Sequence, residues 1–140
     1  MHYLVLISLL LISFLGLSQT EVAWEDLKLD STSEVWSEEH QSVYLNPHFS
    51  DKVKLLKGTD IKITGYLIPV DVGSEYYILS EVKYTDHFFY HTEQDQILEL
   101  TLNGDYQMNL EITVTGTLII NQDDLSKLCY IIEDAKIVEK

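Results

Sequence analysis

Two stretches of the chain, Ile61–Ile68 and Ile112–Ile119, have nearly the same pattern: apolar and polar residues alternate around a central glycine, Gly65 in one and Gly116 in the other. Both are rich in β-branched residues, which suit a pleated strand. Glycine inside a strand adds backbone entropy to be lost and packs no side chain. Its recurrence at the same place therefore marks a bulge or bend where the strand must curl. A strand that curls enough to belong to two sheets is how a small barrel closes. The expected fold is mainly β: a small five-stranded OB-like barrel preceded by one short helix, with an SH3-like barrel or a small sandwich as alternatives that strand count does not exclude.

The helix is expected just upstream. Ser50 is a suitable N-cap with Asp51 in the first turn, lysines follow, and Gly58 stops the run. Phe49, Val53 and Leu56 then share a face that can plug one end of the barrel. The strands that follow are Ile61–Val70, Tyr76–Val82, Ile97–Leu102, Glu111–Ile120 and Leu128–Val138, with turns at Gly73-Ser74 and Asn103-Gly104-Asp105. Ile61, Ile63 and Leu67 of the first strand and Ile112, Val114, Leu118 and Ile120 of the fourth point inward. In the last strand, strict alternation places Cys129, Ile131, Ala135 and Ile137 on one face.

Upstream of the helix the chain divides into two further parts. Residues 1–18 have the apolar core of a secretory signal peptide, from Leu4 to Leu17, which is shorter than the ~20 residues needed to span a bilayer. Gly16 and Ser18 place small residues before a cut between Ser18 and Gln19. An uncleaved anchor is the alternative. Residues 19–46 form an acidic wrap whose Trp24 and Trp36 are expected to lie along the domain. Within it Asp30–Glu34 reads as loop, and Asn46-Pro47 as the turn that opens the barrel domain, residues 47–140.

Charge excludes several function classes. The chain has 9 basic residues, all lysine, against 23 acidic ones, a formal net charge of −14. Nucleic-acid affinity comes from neutralising phosphates, so this balance argues against it, and against anionic lipid surfaces. After signal removal no segment is expected to insert into a membrane. A basic partner protein or small cations suit the charge better. The single cysteine, Cys129, rules out an internal disulfide and reads as a buried, inert thiol.

The least ordinary segment is the loop Tyr84–Gln96. It gathers Asp86, His87, His91, Glu93 and Asp95 around Phe88, Phe89 and Tyr90. His87 and His91 have the four-residue spacing that puts ligands on one helical face. The aromatic triplet instead favours a strand, where the two would stand about 13 Å apart. If the loop holds zinc or another divalent metal, those two histidines are its ligands, with Asp86, Glu93 or Asp95 completing the shell. If it does not, Tyr76, Tyr77, Phe88, Phe89 and Tyr90 supply an aromatic patch for a protein partner. No nucleophile elbow, phosphate loop or cysteine–histidine pairing is present, so no enzymatic activity is expected.

Four features together carry a resemblance: Trp24–Leu27, Asn46-Pro47 with the helix ending at Gly58, the Ile63–Val70 strand with Gly65-Tyr66, two aliphatics and Pro69, and the Val114–Leu118 strand. The chain resembles an uncharacterised family of exported bacterial proteins known as a domain of unknown function with an OB-like barrel. The resemblance implies a periplasmic or secreted accessory protein of the cell envelope, often associated with transport systems and with no assigned reaction. Many relatives carry two cysteines in the loop after the second strand. His87 and Tyr90 are the nearest positions here, which removes any thiol-based role. The expected function is a non-catalytic binding module, engaging an envelope protein that is basic or transport-associated, with metal binding through His87 and His91 as the alternative.

Overall fold

The computed structural model describes residues 18–71 and 73–139. The signal-peptide segment lies, but for Ser18, outside these residues. Among these residues eight strands form two sheets: β1 (Thr20–Glu21), β2 (Leu29–Ser37), β3 (Ser42–Phe49), β4 (Asp60–Pro69), β5 (Tyr76–Ser80), β6 (Ile97–Thr101), β7 (Leu110–Ile120) and β8 (Tyr130–Glu139). Strands β4 to β8 run in the order β4-β5-β6-β8-β7, and β7 returns to pair with β4. This is a closed five-stranded OB-like barrel. The short helix α1 (Asp51–Leu56) precedes it.

Alternation in β4 buries Ile61, Ile63 and Leu67, and in β7 it buries Ile112, Val114 and Leu118. These meet Tyr77, Leu79, Leu98, Leu100, Tyr130 and Ile132 in one apolar interior. Each such side chain contributes about 1.5–3 kcal/mol by leaving water. The hydroxyl of Ser50 accepts from the amide of Val53 at 3.2 Å and caps α1, and Val53 and Phe49 close one end of the barrel.

The two glycines act by close approach. A Cβ at Gly65 would stand 2.7 Å from the carbonyl oxygen of Ser80 and 3.0 Å from the Trp24 ring. Here one edge of β4 passes from β1, paired at Ile61 and Lys62, to β5, paired from Tyr66 onward. The Trp24 indole N–H bridges the gap by donating to the Thr64 carbonyl at 2.7 Å. A Cβ at Gly116 would collide with the Ile132 side chain and stand 2.5 Å from the Glu133 carbonyl. The irregularity is in the partner strand. Register shifts between Thr115↔Lys136 and Thr117↔Glu133, which places an extra residue in β8, and Asp134 takes a φ of 53°.

That bulge corrects one expected face. Tyr130 and Ile132 are buried, and the extra residue resets the phase so that Ala135 and Ile137 then pack on the core. Ile131 therefore does not share the inner face of Ala135 and Ile137. Two further expectations change upstream. Asp30–Glu34 is strand rather than loop, and Asn46-Pro47 lies inside β3 rather than at a turn. The acidic wrap folds into a hairpin, β2 against β3, which continues across residue 47 as far as Phe49. Trp36 is not tucked against the domain but half exposed on this hairpin.

Gly116→Ala should lower unfolding free energy by about 3 kcal/mol, because the added methyl meets β8 backbone that cannot give way. Urea denaturation measures it; a loss under about 0.5 kcal/mol would show that β8 is free to shift.

Candidate functional site

A depression of about 660 Å³ follows the outer face of β5, β6 and β8. It opens where the barrel is least tightly laced: β6 and β8 pair in parallel through Glu99↔Ile131 and Leu100↔Ile132 alone. Alternation directs Leu98 and Leu100 inward, so Glu99 between them must face out. It is nevertheless only 5% exposed, because Tyr76 and the loop after β7 cover it.

Two donors hold this carboxylate. The Tyr76 hydroxyl donates to Oε2 at 2.9 Å, and the Leu128 amide donates to the same oxygen at 2.8 Å. No donor among the described residues reaches Oε1. Burial first, and then the Glu99 carboxylate, push the Tyr76 phenol up to about 12. The phenol therefore remains a donor across physiological pH.

The opposite wall is the loop Asn121–Leu128. The Asn121 side chain organises it, donating to the carbonyl of Asp124 at 2.7 Å and accepting the Asp124 amide at 3.0 Å. The hydroxyl and the amide of Ser126 hold the Asp124 carboxyl below its usual range. Asp124, Glu133 and Asp134 with Glu99 give the groove four carboxylates against one ammonium, Lys127. Glu99 and this loop were not singled out from sequence. The one signal was a lone charge inside an apolar strand, Ile97–Thr101, which alternation reads as a solvated face.

The aromatic residues expected to form a patch are dispersed. Tyr76 lines the groove, but Tyr77 and Phe88 are interior, at 2% and 3% exposure. Tyr77 instead donates to the Gly104 carbonyl at 2.6 Å and stacks edge-on against Tyr106. Tyr90 is 85% exposed and stands apart. The side chain of Phe89 lies outside the described residues.

Phe88–His91 is one turn of helix rather than strand. It brings the His87 and His91 rings to 6.2 Å between centroids, half the distance an extended segment would impose. The carboxylates do not join them. Asp95 accepts the Leu29 amide at 2.9 Å and lies 3.6 Å from the Lys28 ammonium, while Asp86 and Glu93 are exposed. Among the described residues no group of three histidine, cysteine or acidic side chains could hold a metal ion. Cys129 is buried, with its thiol pushed up to about 12, first by burial and then by Asp95. A thiol so far above physiological pH is not a nucleophile.

No family model matches the chain, and no curated protein matches it. Among solved structures it is similar to a DUF3299 family protein from Pseudomonas aeruginosa PAO1, at 15% identity and a TM-score of 0.54. The match covers 88% of this chain and 98% of that one. The shared feature is the barrel. The resemblance to an uncharacterised bacterial family with an OB-like fold therefore holds in three dimensions. No helix among the described residues is long and apolar enough to cross a membrane.

Proposed function

We propose that this protein is an exported, non-catalytic accessory module of the cell envelope that binds a basic partner protein along the groove of β5, β6 and β8. The observation that carries this reading is Glu99: a carboxylate buried on an outer face, oriented by two donors, with its second oxygen uncommitted. Small OB barrels bind their ligands on this face, between the loop after the first barrel strand and the loop before the last. In barrels that take nucleic acid the face is basic. Here it is lined by Glu99, Asp124, Glu133 and Asp134 and would repel phosphate. Lysine or arginine side chains from a partner complement it.

Binding should be electrostatic and local. A partner captured from envelope extract should be basic and should elute as salt rises from about 0.05 to 0.5 M, over which screening shortens severalfold. Glu133→Lys should weaken capture about tenfold without changing the circular dichroism spectrum. Capture that is insensitive to both would move the site off this groove. Export rests on the apolar run from Leu4 to Leu17. Mass spectrometry of the mature protein should find an N-terminus at Gln19, whereas an intact Met1 would mean that the run remains as an anchor.

The helical turn at His87 and His91 favours a second reading, a weak site for zinc or another divalent metal. Calorimetry should then show heat saturating at one zinc per chain, absent in His91→Ala. Wild-type protein that gives no saturable heat ends this reading.

A further inference from the structure

The hairpin of β2 and β3 forms a sheet of its own, so each strand has an outer edge. Pro47 sets the phase of its hydrogen bonds. Lacking an N–H, it cannot exchange bonds with Thr32 opposite, so this pair is of the non-bonded kind. Alternation then makes Ser33↔Asn46 and Val35↔Tyr44 the bonded pairs. The N–H and C=O groups of Thr32, Glu34 and Trp36 point outward from β2, and those of Val43 and Leu45, with the Pro47 carbonyl, point outward from β3.

The two edges differ at two carbonyls of β3, although among the described residues the outward groups of Val43 and the amide of Leu45 are as open as those of β2. On the β3 side the Gln94 side chain donates to the Leu45 carbonyl at 3.2 Å and Gln122 donates to the Pro47 carbonyl at 3.0 Å. On the β2 side, among the described residues, no hydrogen bond reaches the outward groups of Thr32, Glu34 or Trp36. An apolar strip crosses the face of the hairpin from Trp36 on this edge, at 53% exposure, to Val43 and Leu45 on β3, at 56% and 46%. Residues 29–49 carry Asp30, Glu34, Glu38 and Glu39 and no lysine or arginine.

We propose that the outer edge of β2 is a docking site for an extended, lysine- or arginine-bearing segment of a partner protein, which adds to the hairpin as a third strand. Main-chain bonds to Thr32, Glu34 and Trp36 hold the segment, and its alternate side chains meet Trp36 and Glu34. Charge selects the occupant. A second copy pairing antiparallel about Glu34 would set Glu34 against its own equivalent and Asp30 against Glu38 in a chain of net charge −14, and like charges across a strand pair oppose association. A basic segment meets the same carboxylates with attraction. This site is separate from the groove and shares with it only the basic character of the partner.

An alternating Lys–Val octapeptide, with the Glu–Val octapeptide as control, tests the proposal on the whole protein by amide hydrogen exchange. The basic peptide should slow exchange at Thr32, Glu34 and Trp36 by about tenfold or more, and the acidic one should not. Glu34→Pro removes an outward N–H without touching the β2–β3 ladder, and should abolish the protection. Glu34→Lys keeps the N–H, and should weaken the basic peptide and favour the acidic one. Glu99→Gln should leave all of this unchanged, so a failed groove and a failed edge give different results. Three results overturn the proposal: equal protection by both peptides, protection confined to β6 and β8, or protection that appears without peptide as the protein doubles its mass in ultracentrifugation.

Discussion

The structure depends on one strand bonding along both edges. β4 pairs with β7 over Asp60–Leu67 while its other edge is passed from β1 to β5 at Gly65. Closure abolishes the open edges that a flat five-stranded sheet would have, and gathers the inward residues of five strands into one interior. It requires that backbone from β5 come within touching distance of β4 as the strand turns, which leaves no space for a side chain at position 65. Trp24, buried in the core cluster, serves the same junction, its indole N–H holding the carbonyl next to the glycine.

The groove lies at a weak point of this closure. At the opposite side of the barrel β8 bulges at Asp134, and its parallel seam with β6 is two residues long. The groove lies over that seam, and the backbone amide of Leu128 reaches across it to Glu99. A buried carboxylate there costs desolvation free energy, which the Tyr76 and Leu128 hydrogen bonds offset. Apart from Phe49, which enters the core, the hairpin stands outside the closed barrel. It is joined to it by Gln94, Gln122 and the Asp95 bond to Leu29, and so keeps an edge that the barrel does not.

Local pattern and tertiary packing disagreed in instructive places. Alternation around Gly65 and Gly116 specified strands, faces and barrel, because period-two patterning is a property of the chain itself. The Ser50 cap and Gly58 stop bounded the helix for the same reason. Asn46-Pro47 is a turn signal in isolation, but proline is also admissible in a strand at a position whose N–H faces outward, and only the pairing with Thr32 reveals that position. Phe88-Phe89-Tyr90 has strand propensity, yet the segment turns helical, burying Phe88 and bringing two histidines together.

What the sequence by itself determined is the barrel: its strand positions, its inward residues outside β8, its capping helix and its acidic character follow from alternation, capping chemistry and charge, all of which are local or additive. What only the tertiary structure decided is which polar residues meet. Glu99 and Leu128 are 29 residues apart and are joined because β6 and β8 lie side by side. The bulge at Asp134, which reverses the inner face of β8, answers to Gly116 on another strand. Which edges are covered and which stay open is likewise a matter of long-range packing, and no local pattern of residues encodes it.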